Sequence, residues 1–209
     1  MATGLFLSLD GLDGCGKSTQ CRLLADWLRE QGRTVTRCVD PGGTALGDRL
    51  REILLQERLH LNIATEALLF MASRAQLVTE VIRPALQRGE VVLSDRFLLA
   101  NVVYQGHAGG LDPGLLWEAG RLSTGGLEPD LSVVLDLAED LARNRRGRPA
   151  DRVESRDSSY HQRVRQGFLL EARRRPERIK VVDASGTIEL VQEQIRKEVG
   201  HVLATRAGA

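Results

Sequence analysis

The segment Gly11-Leu12-Asp13-Gly14-Cys15-Gly16-Lys17-Ser18 constrains this chain more than any other. It satisfies the pattern G-x-x-x-x-G-K-[ST], follows an apolar run ending at Asp10, and opens a helical periodicity that begins near Thr19. A glycine-rich turn between a strand and a helix wraps backbone N–H groups round phosphate oxygens, and the helix N-terminus adds partial positive charge. The residues expected to hold a nucleoside triphosphate are Gly11, Asp13, Gly14, Cys15, Gly16, Lys17, Ser18 and Thr19. Lys17 is expected to reach the β- and γ-phosphates, and the Ser18 hydroxyl to ligate Mg2+.

A cradle of this kind needs strands that end where the ligand binds, and the chain supplies them. Residues 4–10, 34–39, 91–95, 131–136 and 179–183 read as strands, several of them ending on an aspartate. Between them, residues 19–31, 65–87, 160–175 and 188–203 carry a 3.6-residue apolar period. Strands alternating with helices imply right-handed crossovers and an α/β fold, with a five-stranded, mostly parallel sheet flanked by helices. Ligands in such sheets bind beyond the strand C-termini. With 209 residues, the chain is expected to be one domain spanning positions 1–209.

The 29 basic and 28 acidic residues leave a formal charge of +1. No overall field draws the chain to nucleic acid or membrane, so anion binding must be local. The longest apolar runs are broken by Asp, Arg or Glu, short of the ~20 residues that a membrane-spanning helix needs. Cys15, Cys21 and Cys38 show no metal-ligand spacing, and no signal-type segment precedes them, which fits a reduced, cytoplasmic setting.

Val91-Val92-Leu93-Ser94-Asp95 is an apolar strand ending in a carboxylate that can hold Mg2+ across from Ser18. Arg96 follows at once and can grip phosphate bidentately. Asp136 ends its strand in the same manner but has no adjacent arginine, and reads as structural. Arg143, Arg145, Arg146 and Arg148, interrupted by Gly147 and Pro149, suggest a mobile lid over about 141–152 that could close on the triphosphate. Phe70 and Arg74 lie four apart, on one helix face, where an aromatic ring and a guanidinium can stack on a base and bond its edge. Core packing is the alternative for Phe70, and Tyr104 and Gln105 pose the same choice.

Taken together, these segments resemble the thymidylate kinase family of P-loop nucleoside monophosphate kinases. The resemblance rests on residues 10–20, Asp40-Pro41-Gly42-Gly43-Thr44, residues 68–76, Asp95-Arg96-Phe97 and Tyr104-Gln105-Gly106. It extends to Asp151-Arg152-Val153-Glu154, Arg163-Val164-Arg165 and Val182-Asp183-Ala184. It implies a P-loop kinase fold, Mg2+ as cofactor, ATP as co-substrate, and transfer of a phosphoryl group to dTMP, giving dTDP. It also implies a homodimer. Carried over, Asp13 contacts the acceptor sugar, Phe70 stacks on thymine, Arg74 bonds its edge and Arg96 binds the acceptor phosphate. Asn101, Tyr104 and Gln105 supply further base and sugar contacts, and Lys17, Asp95, Arg96, Arg145 and Arg148 form the catalytic set, with Arg143 near ATP.

Two segments depart from the family pattern: Val39-Asp40 stands where Arg-Glu is common, and Leu99-Ala100-Asn101 where Asp-Ser-Ser or Asp-Ser-Thr is common. A related kinase with another acceptor and a binding-only homologue therefore remain as alternatives. A P-loop GTPase fits poorly, because the chain has no Asn-Lys-x-Asp segment.

Overall fold

The computed structural model describes residues 4–55, 59–145 and 150–207. Its centre is a five-stranded sheet of β1 (Leu5–Gly11), β2 (Val35–Val39), β3 (Val91–Asp95), β4 (Leu131–Asp136) and β5 (Ile179–Asp183). The spatial order is β2-β3-β1-β4-β5, and every neighbouring pair is parallel. Strand β1 is buried along its whole length, and its sequence is mostly apolar, with Ser8 and Asp10 as buried polar exceptions. Its C-terminus lies between those of β3 and β4, so Gly11, Asp95 and Asp136 converge on one end of the sheet.

Helices cover both faces. Helix α1 (Lys17–Glu30) turns Leu24 and Leu28, both fully buried, onto the sheet; each contributes about 1.5–3 kcal/mol of burial. Then follow α2 (Ala45–Leu55) and α3 (Ile63–Leu77), the latter capped by Asn62, whose side chain accepts from Thr65 N. The sequence period predicted one helix to residue 87; the structure instead passes through a π-helical stretch, Val78–Ile82, into α4 (Arg83–Gln87). Pro84, in the first turn of α4, has no N–H to continue the α-helical ladder, and the wider turn precedes it.

A short α5 (Leu98–Asn101) runs into a second π-helical stretch, Val102–Ala108, which carries Tyr104 and Gln105. Helix α6 (Pro113–Thr124) starts on Asp112, which accepts from Gly114 N and Leu115 N. Helix α7 (Glu139–Arg145) corrects the expectation of a loop from residue 143: the Glu139–Arg143 pair, four residues apart at 2.6 Å, supports a helical turn as far as Arg145. Arg146 and Arg148 lie outside the described residues. Helices α8 (Ser158–Arg174) and α9 (Ile188–Ala207) complete the layers.

Candidate active site

The glycine loop closes over the end of β1 with backbone angles that favour glycine. Gly14, at φ +89°, lies so near α7 that an added Cβ would stand 2.0 Å from the Ala142 carbonyl oxygen. Gly16, at φ +99°, starts α1 without a side-chain cap. Gly16, having no side chain, places no capping acceptor at the start of α1, an arrangement that favours an anion there. Lys17 is almost wholly buried and donates to the carbonyl oxygens of Leu12 (2.8 Å) and Gly11 (3.2 Å). The Ser18 hydroxyl donates to Asp95 Oδ2 at 2.7 Å, so the two groups expected at the metal already meet. Cys15 turns its side chain into the core, where burial raises the thiol pKa, and its N–H bonds to Leu12 O.

Beside the loop, Asp13, Arg96 and Tyr104 form a closed triangle. Arg96 donates to Asp13 Oδ1 at 2.5 Å and to the Tyr104 hydroxyl at 3.3 Å, and that hydroxyl donates to Asp13 Oδ2 at 3.2 Å. The Arg96 guanidinium also lies over the Tyr104 ring, 4.9 Å from its centroid. Burial alone would raise the Asp13 pKa, but Arg96 and Lys17 outweigh it and hold the carboxyl far below its ordinary range. Asp10, at the foot of the loop, has no such partner. Burial lifts its pKa to about 6 against the hydrogen bond from Ser8 and the charges of Arg96 and Lys17, and its Oδ1 meets no donor among the described residues.

Across the cleft stands a second, buried group. Arg74, only 1% exposed, donates to Asp40 Oδ2 at 2.6 Å and to Asn101 Oδ1 at 3.0 Å. Asn101 donates to Gln105 Oε1 at 2.7 Å, and Gln105 to Glu66 Oε1 at 2.7 Å. Asp40 therefore holds the arginine, in a segment that departs from the family pattern. Its own pKa is raised by burial, with Arg74 opposing the rise. Phe70 is half-buried and lines the same cavity.

That cavity, of about 590 Å3, is shared by Gly14, Gly16, Lys17, Ser18 and Thr19 on one side and by Phe70, Arg74, Asn101, Tyr104 and Gln105 on the other. Asp95, Arg96 and Arg145 also line it. Arg145 donates to the carbonyl oxygens of Ala184 (2.8 Å) and Ser185 (3.2 Å), just beyond β5. Arg143 is exposed and paired with Glu139, away from these contacts. Asp136 is engaged by both ends of the Arg165 fork, at 2.6 and 2.8 Å, in keeping with a structural role.

Sequence reasoning assigned no role to Glu66 or Arg51. Arg51 lines the cavity and donates to Pro41 O at 2.7 Å. Glu66 was detectable: it precedes Phe70 by four residues and Arg74 by eight, on the same helix face.

A phosphate cradle at the carboxyl end of a parallel sheet, opening on a cavity with a second arginine-lined wall, defines a P-loop phosphotransferase with room for two ligands. The family model "Thymidylate kinase" matches residues 9–195. The thymidylate kinase of Rhodopirellula baltica is 50% identical over 192 residues, covering 92% of this chain and 78% of that protein. That of Symbiobacterium thermophilum is 47% identical over 204 residues, covering 97% and 95%. The crystal structure of thymidylate kinase from Ehrlichia chaffeensis superposes with a TM-score of 0.80 at 28% identity, covering 95% of this chain and 99% of that one. The chain belongs to the thymidylate kinase family.

Proposed function

We propose that this enzyme moves the γ-phosphoryl group of ATP onto the 5′-phosphate of dTMP, giving dTDP, by positioning and electrostatics and without a side-chain nucleophile. The observation that carries this reading is the Asp13–Arg96–Tyr104 triangle, which joins the donor loop to the acceptor wall. In it, the Gly11, Gly14 and Gly16 loop with Cys15, Lys17, Ser18 and Thr19 holds the triphosphate, and Lys17 offsets charge at the β- and γ-phosphates. Arg96 grips the acceptor phosphate while Asp13, kept ionised, accepts from the sugar. Phe70 stacks on the base, Arg74 bonds its carbonyl edge, and Asn101, Tyr104 and Gln105 complete the acceptor wall. Arg145 and Arg148, in a lid over about 141–152, would assist the transfer, with Arg143 near ATP.

Ser18 Oγ and Asp95 Oδ2, 2.7 Å apart at the cavity wall, fit Mg2+, which takes few protein oxygens and keeps waters and substrate phosphates as its other ligands. When bound, the ion would neutralise charge on the bridging phosphate oxygens. Residues 1–209 act as one catalytic domain, as a homodimer in the cytoplasm. Among the described residues no helix is long and apolar enough to cross a membrane.

The test is turnover by the purified protein with ATP and Mg2+ on dTMP, dUMP, dCMP, dGMP and thymidine. Fastest formation of dTDP from dTMP is expected. Faster turnover of another acceptor would overturn the assignment, and tight binding of both nucleotides without any dTDP would leave a binding protein.

A further inference from the structure

The buried polar chain along the acceptor wall continues past the cavity. Glu66, fully buried, accepts from Gln105 through Oε1, and through Oε2 from Arg152 at 2.5 Å and Arg156 at 2.7 Å. A single file of hydrogen bonds thus runs from Arg152 and Arg156 through Glu66, Gln105 and Asn101 to Arg74 and Asp40.

Each link has a direction, and the two ends dictate it. A carboxylate between two guanidinium groups only accepts, so Gln105 must turn its NH2 to Glu66 and its oxygen to Asn101. Asn101 then donates its NH2 to Gln105 and shows Oδ1 to Arg74, which only donates. The ends agree, and every buried amide in the file is satisfied in one orientation alone. With Nε held by Asp40 and one terminal N–H by Asn101, Arg74 has only donors left for the cavity it lines. Donors accept a base that shows a carbonyl there, as thymine does, and repel one that shows an amino group, as cytosine does.

We infer that Glu66 is a positioning residue for acceptor choice: through Gln105 it fixes the direction of the hydrogen bonds at Asn101 and Arg74, and so selects a base with a carbonyl over one with an amino group. The inference rests on the proposed acceptor site. Replacing the carboxylate by an amide reverses the file. The Gln side chain would keep its oxygen on Arg152 and Arg156 and turn NH2 toward Gln105. Gln105 and Asn101 would then flip, and two donors would face each other at Arg74.

The experiment compares Glu66→Gln with Glu66→Asp, which keeps an acceptor-only carboxylate at the same position and leaves the acceptor wall untouched. Glu66→Gln is expected to raise KM for dTMP about tenfold, leave KM for ATP within about twofold, and narrow the dTMP over dCMP preference about tenfold. Glu66→Asp is expected to keep that preference within about twofold. Unchanged dTMP kinetics and preference in Glu66→Gln, or equal losses for both substrates in both variants, would overturn the inference. If Glu66→Gln does not fold, Glu66→Asp decides: a kept preference supports the inference and a preference narrowed about tenfold overturns it. Failure of the wild-type protein to use dTMP would instead sink the acceptor site itself, before any variant is made.

Discussion

Asp10 offers the sharpest quantitative test. Its carboxyl is fully buried at the foot of the phosphate loop, with Ser8 on one oxygen and no donor among the described residues on the other. Burial raises its pKa from 3.8 to about 6. Between those values the folded chain binds a proton that the unfolded chain has released. The contribution of Asp10 is therefore most favourable below pH 3.8 and is lost as pH rises through about 6. The interval of about 2.2 pH units, at ~1.36 kcal/mol each, amounts to about 3 kcal/mol of destabilisation carried at pH 8. Asp10→Asn keeps the shape and an acceptor for Ser8 but removes the charge. At pH 8 the variant should be more stable by up to about 3 kcal/mol, or roughly 6–12 °C in Tm for a chain of this size. Near pH 4 the two proteins should melt together. The assay is thermal unfolding of both proteins in overlapping buffers from pH 4 to 8. A difference that stays constant with pH, or a variant less stable at pH 8, would refute the assignment of the buried charge.

Two further substitutions probe the donor loop. Lys17→Ala should lower kcat about 10²–10³-fold by withdrawing charge from the transferring phosphates; steady-state kinetics within threefold of wild type would show that the loop does not hold the triphosphate. Gly14→Ala places a Cβ 2.0 Å from the Ala142 carbonyl at φ +89°, so it should cost about 1–3 kcal/mol and push α7 from the loop. Calorimetric ATP binding and Tm should both fall, and unchanged values would mean that the loop and α7 do not pack as described.

The sequence made the sheet legible because strands buried on both faces read as short, mostly apolar runs, and β1, β3 and β4 are such strands, each interrupted by one serine and reaching an aspartate near its C-terminal end. The phosphate loop was legible because glycine, lysine and hydroxyl spacing is itself the mechanism. Helix α5 and the π-helical stretch after it were not, since Leu98, Leu99, Ala100, Val102 and Val103 are all buried and leave no polar face to mark a period. Asp112-Pro113 does carry a start signal for α6, a capping carboxylate followed by proline. The first lid arginines were read as loop because Gly147 and Pro149 dominate the local composition, whereas the Glu139–Arg143 pair carries the helix as far as Arg145. Asp40 looked like a departure from the family pattern; its partner Arg74 lies 34 residues on, and no local spacing reveals such a pair.

Arg96 carries a further lesson. It has φ 71°, the one described non-glycine residue with a positive φ, in a region where a side chain costs of order 1 kcal/mol and glycine costs almost nothing. A search for thermal stability alone would steer position 96 toward glycine, and would discard with the side chain the guanidinium that links Asp13 to Tyr104. Directed evolution of a hardier enzyme should therefore hold this position fixed. The twist in the backbone there marks where the demands of folding give way to those of chemistry.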